Sequence, residues 1–581
     1  FGSNLKYFFS YQLNYMYWRY FMWNFSGRQN DEQGRGGITE GQWISGINFI
    51  DEARLGPQDN LPAKQTRNKG RNKYYMLPFL LGLAGLLYHI KKDKNYAWVN
   101  TLLFVMTGIA IVVYVNQYAY QPRERDYSYA GSFYAYAVWI GLGVMAIFEF
   151  LRKNVPGKIA AGLTTVVCAA AVPGIMAAEN WDDHDRSNRY TARDFAKNYL
   201  DSCKKDGILF TNGDNDTFPL WYVQEVEGYR TDVRIVNMSL LNTDWYIDQM
   251  KRAAYDAKPV PFTFTHDQYR QGTRDVVYFV DQGISDRRWY AQELVNWLKR
   301  DDERATVRSN GKVFNYYPTK KIRVPVDREV VLANGTVAPE DSNKVLPYID
   351  WNLPGNNLLK RDMMIVDLIA NNNWERPIYF AITVGNRPQA FLNLTDYFQL
   401  EGMAFRLVPI QKTARDNQLG FVNADVMYDN IINKFQWGNM NDPDVYLDET
   451  NRRMLMNFRN NFGRLAAQLY AEGKEDKALE VLNKCEEILP DHIVQYDYFN
   501  LTQVETYYNL DEVEKARDIL RTLAQHMVDE ALYYSQFTGD KKRQVAQELQ
   551  RSTQIYQACV QEALRNNDNE FAAELQGMLN M

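Results

Sequence analysis

Residues 101–148 read TLLFVMTGIAIVVYVNQYAYQPRERDYSYAGSFYAYAVWIGLGVMAIF. Two apolar stretches enclose a short polar one that carries four alternating charges: Arg123, Glu124, Arg125 and Asp126. Each flank approaches the roughly 20 residues that a helix needs to cross the hydrocarbon core of a bilayer. The pattern predicts a helical hairpin in a membrane with its charged turn at the surface. The mean hydropathy of -0.47 over 581 residues therefore averages a membrane part with a larger polar one.

Outward from this hairpin the chain has four apolar runs, at about Tyr74–Ile90, Ala97–Gln117, Gly131–Leu151 and Ile159–Ala178. The first is short and the fourth is rich in Ala and Gly, a composition suited to close packing on other helices. The connections HIKKDKN and RKNVPGK are short enough for hairpins. Lysines and arginines lie on both sides of the runs, so the positive-inside rule leaves topology open. Four spans would return the chain to its starting side, placing the charged loop, the N-terminal segment and the C-terminal region in one compartment.

Before the runs, residues 5–25, LKYFFSYQLNYMYWRYFMWNF, are aromatic almost throughout and hold only two cations, Lys6 and Arg19. This predicts a helix lying at a membrane surface, with a core helix as the competing reading. Residues 26–73, rich in Gly, Asn and charge, read as a long irregular loop. The chain opens FGSNLKYFFSYQ, and we expect it to continue from an upstream segment. With 40 Tyr and 13 Trp, many of them near the start, the composition suits membrane interfaces. A formal net charge of -5 gives no reason to expect nucleic acid. The four cysteines, Cys168, Cys203, Cys485 and Cys559, show neither a disulfide framework nor zinc spacing.

From Glu179 onward the chain is soluble in character. GILFTNGDND reads as a strand entering a loop, TFPLWYVQEVEG as a helix, DVRIVNMSL as a strand, MMIVDLIANNNW as a helix and RPIYFAITV as a strand. This alternation predicts an α/β domain with a partly parallel sheet, interrupted by an insertion of mixed structure at 260–355. In residues 459–490, Phe462, Leu465, Ala466, Gly473, Ala478, Leu482 and Pro490 fall on the positions of a tetratricopeptide repeat. A looser copy and further helices follow.

Two motifs compete as sites. In the charged loop, Arg123 and Arg125 suit an anion, because guanidinium forks grip phosphate oxygens in bidentate fashion. Glu124 and Asp126 could hold those arginines or fix a donor group on a substrate, and Tyr127 is one of several tyrosines that could stack on a sugar or seat at the headgroup level. The competing reading is a solvated turn whose charges pair with each other. Asp214 and Asp216 spell D-x-D after a strand, a pattern that can hold a divalent cation. Turn and cap chemistry, with Thr217 as an N-cap, is the favoured reading, because so short a motif matches by chance. His184 with Asp182, Asp183 and Asp185 reads as a polar exit from the last run.

Taken together, NYMYWRYFMWNFSGRQND, QPRERDYSYAGSFYAYAVWIGLG, TNGDNDTFPLWYVQEVEG and RPIYFAIT resemble a large membrane-protein family of Bacteroidota. That family is similar to eukaryotic transmembrane O-mannosyltransferases ending in tetratricopeptide repeats, of the GT-C type. The resemblance implies an inner-membrane, multi-pass protein whose soluble domains are periplasmic. It implies a polyprenyl-phosphate-linked sugar donor, contact with membrane lipid and a protein acceptor. Family members carry an Asp and a Glu in an earlier external loop, the source of the presumed base. No such stretch occurs here, so this chain looks like the C-terminal part of a member. The resulting division is an interfacial helix and external loop (1–75), a transmembrane region of about four helices (76–178), a periplasmic α/β domain (179–445) and tetratricopeptide-like helices (446–581). Arg123 and Arg125, with Arg28, are the candidates for the donor phosphate; Glu124, Asp126, Asp31 and Tyr127 are supporting candidates. The alternative is a non-catalytic, membrane-anchored scaffold that binds envelope proteins or glycans.

Overall fold

The computed structural model describes residues 2–580 except Pro122, Asn310, Thr413, Arg415 and Asn417. Residues 2–25 form one helical rod. Its second half is buried, with Tyr20 and Phe21 almost fully covered. Four helical rods follow: α1 (Leu77–Lys92), α2 (Lys94–Val115, with a break at Thr107–Gly108), α3 (Ala130–Leu151) and α4 (Gly157–His184). Three are long and apolar enough to cross a membrane: α2, α4, and α3 with the turn that leads into it from Asp126. The chain is accordingly a membrane protein. At 16 residues, α1 reaches only about 24 Å, short of a hydrocarbon core of about 30 Å. It packs on α3 through small residues. A Cβ on Gly85 would fall 1.7 Å from the Trp139 carbonyl oxygen, and one on Gly143 2.2 Å from that of Leu81. The backbones touch where only glycine permits it.

The polar stretch 26–73 returns over the rods' polar end. Gly27–Arg28 pairs antiparallel with Asn72–Lys73, and the rest is short helices and turns held by side chains.

After the helix α5 (Thr191–Asp201), a six-stranded sheet forms from β1 (Ile208–Thr211), β2 (Arg234–Asn237), β3 (Ile378–Ala381), β4 (Phe398–Leu400), β5 (Ala404–Leu407) and β6 (Phe421–Val422). The order is β6-β4-β5-β3-β1-β2. β3, β1 and β2 are parallel, and β5 is antiparallel to both β3 and β4. The three parallel strands are buried at every residue, as their unbroken apolar runs require of strands covered on both faces. Between β2 and β3 lie a four-stranded and a three-stranded sheet.

The helix after β1, α6 (Asp214–Glu225), starts at Asp214 rather than after Thr217. Gly213, at φ +86°, makes the turn. Thr217 is inside the helix and donates to the Gly213 carbonyl at 2.8 Å. Acidic residues in the first turn favour this start, since they face the positive end of the helix dipole.

The chain ends in an array of helices: α7 (Glu449–Ala471), α8 (Glu475–Ile488), α9 (Asn500–Asn509), α10 (Val513–Ser535), α11 (Ala546–Arg565) and α12 (Asn569–Gly577). Ala466 and Ala478 are fully buried between α7 and α8. The array shares the sheet's core, because Phe458 of α7 packs edge-on against Phe195 of α5 at 5.4 Å between ring centres.

Candidate functional site

The charged turn is built on the aromatic helix. Tyr7 and Tyr11 donate to the carbonyls of Gln117 and Ala119 at 3.0 and 2.8 Å. Tyr17 shares a hydrogen bond with Ser132 at 2.6 Å. The helix thus grips the turn's two shoulders with tyrosine hydroxyls, while its rings pack among the rods.

Arg19 is the centre of the junction. Its side chain is 1% exposed and bridges Glu124 at 2.7 and 3.1 Å. It also donates to the carbonyls of Tyr15 and Gly41. The rings of Tyr15, Tyr20 and Trp23 lie 4.0 to 4.6 Å from its guanidinium carbon. A buried guanidinium is costly to desolvate, and the bidentate carboxylate and three π faces offset that cost. Glu124 accepts two further bonds, from the Tyr20 hydroxyl at 2.5 Å and the Gly34 amide at 2.9 Å. Its oxygens are fully committed to structure. The expectation that Glu124 holds Arg123 or Arg125 is therefore corrected: it holds Arg19, from the other wall.

Arg123 and Arg125 remain without a carboxylate partner among the described residues. Arg123 is exposed. Arg125 donates to the Tyr127 hydroxyl at 2.6 Å and to Gln121 at 3.3 Å, and its amide donates to the Tyr20 hydroxyl. Asp126 opens the short turn into α3 and forms no ion pair with either arginine among the described residues. Arg28 stacks on Trp23 at 4.3 Å, the ring that also touches Arg19, and its Nε is buried without a hydrogen-bond partner. Arg28 thus shares the Trp23 ring with Arg19, and Arg125 reaches the same cluster through its amide on the Tyr20 hydroxyl.

Asp31 is placed elsewhere. Arg452 of α7 bridges it at 2.7 Å, and Asn68, Tyr446 and the Glu449 amide also donate to it. Burial raises its carboxyl, but the Arg452 charge and the donated hydrogen bonds outweigh that and hold it below the usual carboxylate range. Arg452 also pairs with Glu32 at 2.8 Å, and the Gln33 amide donates to Glu449. Four residues, 31–34, therefore tie the charged turn on one side to the helical array on the other.

Asp214 and Asp216 lie in a third place, at the C-terminal ends of the parallel strands. The connections after β1 and β3 leave in opposite directions there, the arrangement that opens a crevice in α/β sheets. Asp216 is buried, accepts a hydrogen bond from the Thr383 hydroxyl, and is raised by burial above the ordinary carboxylate value. Asp214 is exposed. Among the described residues no three His, Cys, Asp or Glu side chains converge as a metal set, so the divalent-cation expectation has only two carboxylates here.

The residues that sequence reasoning missed are Arg19, Gly34 and Arg452. Arg19 left a signal, being a lone cation in the middle of an aromatic helix. The other two left none.

Residues 192–426, the α/β part, match the family model described as TMEM260-associated domain 2. The chain is similar to the protein O-mannosyl-transferase tmem260 of Dictyostelium discoideum, 24% identical over 188 residues, which cover 29% of this chain and 23% of that protein. It is also similar to the protein O-mannosyl-transferase TMEM260 of Mus musculus, 31% identical over 84 residues, 14% of this chain and 12% of that protein. The likeness is to O-mannosyltransferases. The matched segments span less than a quarter of either relative's length. No solved structure gives a significant match.

Proposed function

We propose that the chain is part of a GT-C-like membrane glycosyltransferase that moves a sugar, mannose by analogy with its relatives, from a polyprenyl-phosphate donor to Ser or Thr of a protein. One observation carries this reading. The turn commits Glu124 to Arg19 and, among the described residues, presents two arginines without carboxylate partners beside the start of α3. Such a pair suits a lipid-linked phosphate. In the transfer, the acceptor hydroxyl oxygen bonds to the anomeric carbon as the bond from that carbon to the phosphate oxygen breaks. The phosphate leaves with the electron pair, and Arg123 and Arg125 stabilise its growing charge. The hydroxyl proton passes to a carboxylate. Glu124 and Asp31 are saturated by structural donors; the family resemblance implies a base from an earlier external loop, and Asp126 is the carboxylate of the turn left without an ion pair among the described residues.

The α/β domain and the array, read as tetratricopeptide-like repeats, would select acceptors on the periplasmic side of an inner membrane. The domain divisions at 75, 178 and 445 belong to the same proposal. The saturation of Glu124 and Asp31 also favours a second reading, a membrane-anchored scaffold without catalysis.

The test supplies labelled polyprenyl-phosphate-mannose to membranes carrying the full-length protein. Label reaching protein is counted for wild type and for the double variant Arg123→Ala with Arg125→Ala. Transfer that collapses in a folded variant supports the donor site. Equal transfer in both makes the turn a solvated one, and absence of transfer in wild type favours the scaffold.

A further inference from the structure

A cavity of about 740 Å³ lies where the 26–73 segment meets the helical array. Its volume falls in the range of about 300–1,000 Å³ that encloses a compact ligand. Four distant stretches build it: residues 32–69, 443–456, 491–499 and 527–555. Met456, Met527 and Ile555 supply an apolar wall, and Tyr498 supplies an aromatic face that is 61% exposed.

Its charges are unevenly satisfied. Arg67 pairs with Asp491 at 2.9 Å, Arg452 with Asp31 and Glu32, and Lys64 with Glu40. Arg551 lines the same cavity, is exposed, and has neither a carboxylate nor a hydrogen-bond partner among the described residues. On the same wall, Asp497 has a buried Oδ2 that accepts no hydrogen bond. Burial raises its carboxyl above the ordinary value, against the smaller pull of the Arg459 and Arg551 charges. The cavity thus asks for three things at once: a donor N–H for Asp497, an anion for Arg551 and apolar groups for the methionines. An extended peptide meets all three, because its backbone donates regularly and its side chains alternate between acidic and apolar. A lipid headgroup offers the anion without the ladder of donors.

We infer that this cavity binds an extended, acidic segment of a protein acceptor. This rests on the transferase reading above and extends it. Residues 31–34 line the cavity's edge at Glu32 and reach Glu124 through Gly34. A segment held here is tethered one short stretch of chain from the charged turn.

The test uses the chain in lipid nanodiscs and three fluorescent heptapeptides with a central Thr. They differ only at the two flanking positions: Glu, Gln or Lys. The Glu peptide should bind tightest and the Lys peptide at least about tenfold more weakly. Arg551→Glu, on an exposed helix face, should invert that order, and Tyr498→Ala should weaken all three. Equal affinities, no binding, or an order unmoved by Arg551→Glu would overturn the proposal. Displacement of the Glu peptide by phosphatidylglycerol vesicles would assign the cavity to headgroups instead and would also overturn it. Sugar transfer is measured separately in the full-length protein. Peptide binding without transfer removes the transferase reading and leaves the cavity; intact transfer with charge-blind binding does the reverse.

Discussion

The junction between the aromatic helix and the helical array and the crevice at the strand ends both bury carboxylates, by opposite means. At the junction, Glu124 faces Arg19 and Asp31 faces Arg452. At the strand ends, Asp216 meets no guanidinium among the described residues and accepts from the Thr383 hydroxyl and a backbone amide. A carboxylate met by a guanidinium has its charge answered and works as structure. One met only by neutral donors keeps a burial cost that its surroundings do not repay, and such groups cluster where ligands bind. A charge in a promising loop therefore says little until its partner is known.

The largest effect that would break this contrast is expected at Glu124. Glu124→Ala leaves Arg19 buried and unpaired, which costs about 3–5 kcal/mol. It should lower the midpoint of thermal unfolding in detergent steeply and free the turn to proteolysis between α2 and α3. A variant as stable as wild type would mean that Arg19 finds another anion and that the junction is not held by charge. Asp31→Asn should cost less, about 1.5–3 kcal/mol, the range for a hydrogen bond to a charged group. Its effect depends on pH. The folded carboxyl lies below its unfolded value, so its contribution is present above about pH 4 and is lost as pH falls through the folded value. The gap between wild type and Asp31→Asn should close in acid.

Asp216 sharpens the contrast by reversing that sign. Its folded carboxyl lies above the unfolded value. The native state holds the proton more tightly, so stability is greatest in acid and falls as pH rises through the folded value. Asp216→Asn should therefore flatten the pH dependence and be at least as stable as wild type near neutrality. The differences between wild type and each variant, read from unfolding midpoints across pH 3 to 7, slope in opposite senses and separate structural from strained carboxylates within one chain. Matching slopes would erase the distinction.

The sequence made the local features legible and hid the junction. Run length announced α2 and α3 as spans, while the Ala- and Gly-rich composition of α4 hid that it is long and apolar enough to be one; the strand-helix alternation announced the partly parallel sheet. The small residues Ala466, Gly473 and Ala478 announced the helix pair α7 and α8 in the same way. The partner of Glu124 lies 105 residues away and that of Asp31 lies 421 away, and no spacing rule reaches so far. The start of α6 was misplaced because Thr217 has the chemistry of a cap. The choice fell instead on Gly213, whose positive φ makes the turn four residues earlier. The stretch 26–73 looked irregular because its order comes from side chains reaching other segments, such as Tyr533 donating to the Pro57 carbonyl at 3.0 Å, rather than from its own repeat.

The smallest expected effect on stability completes the comparison. Arg123 is exposed and holds no carboxylate among the described residues, so Arg123→Ala should leave the unfolding midpoint unchanged within error. Its cost should fall on transfer alone, since removing one cation from a phosphate site weakens donor binding and the stabilisation of the leaving charge together. Arg123→Lys should restore part of that loss, because an ammonium supplies charge but not the bidentate fork. Full rescue by Lys would reduce the turn to a source of positive potential. No loss with Ala would leave Arg125 and Arg28 to hold the phosphate. A drop in the unfolding midpoint would place Arg123 with Arg19, among the groups that hold the junction together.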